Sequence, residues 1–145
     1  MLGFMFASAQ AQEKEKQIKR QQLPAAVEQT VAKESVGATI KGFAMEVENR
    51  QTFYEVSMTL SGHNKDILMN KNGEIVEVEE EVSIDSLPAA VQEALRKAAG
   101  SGTIEVVESL TKNGNLVAYE GHVKRGKKRS EIQVGPNGEK LKRPE

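Results

Sequence analysis

The sequence contains no cysteine and only two histidines. Without thiols there is no disulfide framework, no thiol catalysis, no iron–sulfur ligation and no cysteine-based zinc site. His63 falls in the turn-like stretch Ser61-Gly62-His63-Asn64 and His122 in a strand-like one. Neither has a second ligand at a metal spacing, so the sequence predicts no metal and no cofactor. No G-x-S-x-G elbow occurs. The carboxylate pairs Glu46/Glu48 and Glu105/Glu108 have no neighbouring group to move a proton. The expected catalytic set is therefore empty, and the chain is not expected to be an enzyme. No apolar run approaches the ~20 residues of a spanning helix, so no membrane span is expected.

Aromatic residues make up only 4% of the chain, and none interrupts the basic cluster Lys124-Arg125-Gly126-Lys127-Lys128-Arg129. With a net charge of -1, the whole molecule has no pull toward nucleic acid, and that cluster is expected to be a solvated hairpin tip. What charge there is, 28% of residues, is unevenly divided: residues 1–22, 23–86 and 87–145 carry +2, -7 and +4. The acidic run Glu77, Glu79, Glu80, Glu81 with Asp85 lacks the ligand alternation and glycine of a calcium loop. It reads as an edge strand protected from aggregation by charge, with calcium or another envelope ligand as the alternative.

The strongest positive signal is an internal repeat. Leu23-Pro24-Ala25-Ala26-Val27 returns as Leu87-Pro88-Ala89-Ala90-Val91, a shift of 64 that continues through Ile40/Ile104 and Asn49/Asn113. After one inserted residue the shift becomes 65, pairing Tyr54-Glu55 with Tyr119-Glu120 and Asn72-Gly73-Glu74 with Asn137-Gly138-Glu139. A fixed period of this kind points to a repeated supersecondary unit.

Proline is tolerated in the first turn of a helix, and Asp85-Ser86 offers capping oxygens before Pro88, so helices are expected to start near 24 and 88. They should end at Gly37 and at Gly100-Ser101-Gly102. Beyond each helix the apolar period changes from 3.6 to 2. Strands are expected near 39–48, 52–60, 66–70 and 74–82, then near 103–111, 116–125, 129–134 and 139–142. Asn72-Gly73, Asn137-Gly138 and Asn113-Gly114 are tight-turn signals, the first two read as type I′. The fold class predicted is α+β, two tandem α-β-β-β-β repeats spanning 23–86 and 87–145, each helix packed on one face of its own antiparallel sheet. Tyr54 and Tyr119 should face the helices.

At the N-terminus, apolar Met1 to Phe6 followed by Ala7-Ser8-Ala9-Gln10-Ala11 reads as the end of a signal peptide, 1–11, that begins upstream. Residues 12–22, rich in Gln, Lys, Glu and Arg, read as a solvated leader. The expected location is the periplasm or the exterior.

The unit L-P-A-A-V, a strand carrying Y-E and a turn N-G-E, occurring twice, resembles the PepSY and PepSY-like domains of exported bacterial proteins. That family is similar in fold to the β-lactamase inhibitory protein, two helix-on-sheet repeats side by side, and to a module in the propeptides of thermolysin-type peptidases. The resemblance implies no catalytic residues. It implies a protein-binding module that inhibits or modulates a peptidase or another exported protein. A period of 2 places Phe53, Glu55, Ser57 and Thr59, with Glu120, His122 and Lys124, on the sheet face away from the helices. Those residues are the expected partner-binding strip, with Phe53 as its aromatic anchor and His122 as an exposed group that titrates near neutrality.

Overall fold

A computed structural model of the chain describes residues 15–145. Its elements run β1 (Lys16–Ile18), α1 (Ala25–Glu34), β2 (Thr39–Glu48), β3 (Gln51–Leu60), β4 (His63–Asn70), β5 (Ile75–Val82), α2 (Ala89–Ala99), β6 (Thr103–Lys112), β7 (Asn115–Arg125) and β8 (Lys128–Val134). Short 3-10 turns at Arg20–Gln22 and Ile84–Ser86 lead into the two helices. The strands form one eight-stranded antiparallel sheet in chain order. The α+β class holds, but there are not two sheets: β5 pairs with β4 on one side and β6 on the other.

Three expectations fail for one reason. Residues 139–142 form no strand, β5 is no edge strand, and the part of the leader from Lys16 to Ile18 is strand rather than solvated coil. Lys16, Gln17 and Ile18 face Met45, Ala44 and Phe43, while Glu80, Glu81 and Val82 face Ser109, Glu108 and Val107. Each residue of the second set lies 64 positions beyond its counterpart in the first. The strand ahead of each helix, rather than a fourth one after it, completes the hydrogen bonding of the next strand. After Asn137-Gly138 the turn closes as it does after Asn72-Gly73, with Gly138 N–H donating to Gly135 and Gly73 N–H to Asn70. Only the earlier turn has a β6 on its far side to pair with. The expected signal segment, and residues 12–14 of the leader, lie outside the described residues.

The helices begin as expected, although Asp85 and Ser86 do not cap α2: the N-cap is Pro88 and makes no side-chain cap bond. Ser86 instead donates to the Ser83 carbonyl at 2.6 Å. The hairpin turns split by backbone sign. Asn113 and Gly114, Ser61 and Gly62, and Asn49 and Arg50 all have positive φ, the type I′ signature. Asn72 and Asn137 do not, so their turns are a different kind, with only the glycine left-handed. Those glycines press on the helices. A Cβ on Gly73 would collide with the Ala26 carbonyl, and one on Gly138 with that of Ala90. The Thr30 hydroxyl fixes the first of these contacts by donating to the Gly73 carbonyl at 2.7 Å.

Both helices lie on the same side of the sheet. Val27 and Val31 of α1 meet Phe43, Val56, Met58, Ile67 and Met69. Val91 and Leu95 of α2 meet Val107 and Val134. Tyr54 and Tyr119 pack against these two clusters, as their strand parity requires. No helix or strand among the described residues covers the opposite face, which we call the helix-free face.

Candidate functional site

Residues directly opposite in an antiparallel pair point to the same side, so the register fixes what the helix-free face carries. Across β3, β4 and β5 it presents Glu55, Asp66, Glu77 and Glu79. Across β5, β6 and β7 it presents Glu81, Glu108 and Glu120, and on β8 Glu131, opposite His122. The acidic run of β5 is thereby split, since Glu80 points to the helix side and Glu77, Glu79 and Glu81 to the other. The same face has an apolar floor: Ala44, Leu110 and Ala118 are buried there.

Burial among like charges raises the carboxyl pKa values. Desolvation, then the charge of Asp66, lifts Glu55 to about 7. Desolvation, then Glu108, lifts Glu79 to about 9. Desolvation, then Glu120, lifts Glu131 to about 7. Asp66 and Glu77 are raised as well, chiefly by burial. Asp66 Oδ1 is buried and accepts no hydrogen bond.

Within this field lies a tight cluster. Glu108 and Glu120 sit opposite each other on β6 and β7, and His122 follows Glu120 on the same side two residues later. His122 Nε2 is 3.1 Å from Glu108 Oε2 and 3.4 Å from Glu120 Oε1. The two carboxylates are only 7% and 3% exposed. Gln133 of β8 donates from Nε2 to Glu120 Oε2 at 2.8 Å and so orients that carboxylate. Hydrogen bonds to Glu108 and then Glu120 raise the His122 pKa to about 10 against the opposing effect of burial.

The residues of the expected partner strip lie on the helix-free face, but in surroundings other than those expected. Phe53 lies opposite Glu46 and Asn70 on the helix-free face, half-buried. Glu55, Ser57 and Thr59 share that face, and Ser57 donates to Glu55 at 3.2 Å. Lys124 is exposed beside the β7–β8 hairpin. His122 is no lone exposed histidine, because the two carboxylates clasp it. Sequence spacing alone gives Glu120-x-His122, but Glu108 arrives from the neighbouring strand, and no local pattern announces it. Ser109 and Lys112, spaced as in an S-x-x-K motif, fall on opposite faces of β6, so that spacing brings nothing together. Two of the five basic residues at the hairpin tip are committed: Arg125 donates to the Ala99 carbonyl at the end of α2 and Arg129 to Glu105.

No protein-family model matches the chain, and no curated protein does. Solved structures do. A DUF2874 family protein of Bacteroides ovatus aligns over 83% of this chain and 85% of its own, with a TM-score of 0.63 and 20% identity. A BLIP-like protein of Bacteroides fragilis aligns over 80% and 81%, with a TM-score of 0.58 and 22% identity. A protein of Bacteroides eggerthii, provisionally described as periplasmic, aligns over 81% and 84%, with a TM-score of 0.64 and 19% identity. At these identities the likeness is one of fold, the BLIP-like arrangement of helices on one side of a meander sheet. No described helix is long and apolar enough to cross a membrane.

Proposed function

We propose that this chain is a non-enzymatic, exported binding module whose helix-free face takes a basic segment of another exported protein and thereby inhibits or modulates it. A peptidase is the partner class that the PepSY resemblance favours. The observation that carries the reading is the set of carboxyls on the helix-free face, several held above their ordinary pKa by burial and mutual repulsion. A cationic partner relieves that repulsion, and complementary charge steers its approach. Phe53 supplies the aromatic anchor such interfaces use. The provisional periplasmic description of a structural neighbour is consistent with export. We further read the chain as two copies of one β-α-β-β-β unit, each opening with the strand before its helix, in place of the α-β-β-β-β unit suggested by the sequence.

The test is affinity capture from a periplasmic extract with three baits: the native chain, Glu55→Lys with Phe53→Ala, and Gln29→Lys on the exposed side of α1. A protein retained by the first and third baits, lost from the second and released by salt is the expected result. Equal capture by all three baits places binding elsewhere than on this face.

A further inference from the structure

We propose that Glu108, Glu120 and His122 form a binding site for a divalent transition-metal ion, zinc being the best match. The donors of the three residues all lie within 4.8 Å of one another. Zinc binds imidazole nitrogen and carboxylate oxygen at about 2.0–2.2 Å in a tetrahedron, which puts neighbouring donors roughly 3.3–3.6 Å apart. The two separations from His122 Nε2 are 3.1 and 3.4 Å. Both suit neighbouring ligands of one ion, and the third separation, between Glu108 and Glu120, is no longer than 4.8 Å.

The surroundings also suit a cation: Glu131 lies directly across from His122 on β8. Glu108 and Glu120 face each other while almost wholly buried, and a divalent cation between two such carboxylates offsets their repulsion. The supporting hydrogen bond is in place as well: Gln133 holds Glu120 Oε2 and leaves Oε1 turned toward His122. Outer bonds of this sort orient metal-binding carboxylates.

The donor set selects the ion class. Calcium and magnesium favour shells of oxygen, whereas an imidazole in a compact set of three suits zinc and its neighbours. Three protein ligands leave a fourth position for water. The site shares the helix-free face with the proposed partner surface but does not depend on a partner, so the two ideas fail separately.

Metal-free protein titrated with zinc chloride in a calorimeter, and with cobalt(II) followed by visible absorption, tests the site. One saturable equivalent and a cobalt spectrum of tetrahedral intensity are expected. Affinity should fall by about 10–100-fold in Gln133→Ala, as for other outer-shell losses, and further in His122→Ala. Glu120→Gln keeps the side-chain shape and serves if His122→Ala does not fold; circular dichroism melts check both. Absence of saturable uptake overturns the proposal. So does uptake unchanged in His122→Ala or Glu120→Gln, which points to exposed His63, and so does calcium competing as strongly as zinc.

Discussion

On β7, Tyr119, Gly121 and Val123 face α2 while Ala118, Glu120 and His122 face the other way. Alternate residues of one strand thus live under opposite rules. On the helix side, burial removes apolar surface from water and stabilises the fold. On the other side it desolvates charge and strains the fold. The helix side of the sheet is built for stability, and the helix-free side gives some of that stability up.

The sharpest test of that contrast is a deletion in the helix-side core. Leu95 is fully buried, and Leu95→Ala is expected to destabilise by about 3 kcal/mol or more, read from denaturant melts. A loss below about 1 kcal/mol would mean α2 is not seated on the sheet as described.

On the other face the sign should reverse. Asp66 on β4, Glu46 on β2 and Glu15 ahead of β1 all push the Glu55 pKa up beyond the effect of burial, while the Ser57 hydroxyl lowers it. A carboxyl whose folded pKa is raised binds more protons folded than unfolded. Its contribution is therefore unpenalised below the unfolded value and is lost as pH rises through about 7. Glu55→Gln removes the penalty. At pH 8 we expect it to stabilise by about 1–2 kcal/mol, discounted for solvent screening, with little effect at pH 4. Urea midpoints across that range measure it, and stabilisation that is independent of pH would contradict the charge argument.

The smallest effect concerns the seam between helix and turn. Thr30→Val keeps the shape of the side chain but loses its bond to the Gly73 carbonyl, at a cost of about 1 kcal/mol. A change within error would mean that the glycine contact alone holds the turn on α1.

Much of the fold was legible because its signals are local. Leu-Pro-Ala-Ala-Val announced both helices, and alternation announced seven of the eight strands. The failures came where pairing partners decide. Lys16, Gln17 and Ile18 carry no apolar alternation of their own, and they become a strand because β2 offers an unpaired edge. Lys140-Leu141-Lys142 has the open edge of β8 beside it but no further strand on its far side to pair with. The Asn72 turn was misread because Asn-Gly fits more than one turn type, and docking on α1 selected this one. At the candidate site, parity correctly placed Phe53, Glu55 and His122. The meeting of Glu108 with Glu120 depends on the β6–β7 register, which bulges between Ile104 and Val106 and between Leu110 and Thr111. A bulge shifts the pairing by one residue, which residue types alone do not reveal.

Strand order equal to chain order has a kinetic consequence. Every strand pairs only with its neighbours in the chain, and the longest excursions between paired strands, residues 19–38 and 83–102, are those that contain the helices. Loop-closure entropy is low for each step, and low contact order favours rapid folding. A chain emerging N-terminus first can add each strand to the growing edge as it appears, so the growing edge is always the most recent strand. Once a sheet has begun to form, its growing edge waits longest between β5 and β6, while residues 83–102 and α2 emerge, and it is there that a strand bearing Glu77, Glu79, Glu80 and Glu81 stands temporarily at the edge. Charge that serves no edge in the finished sheet protects one during its assembly.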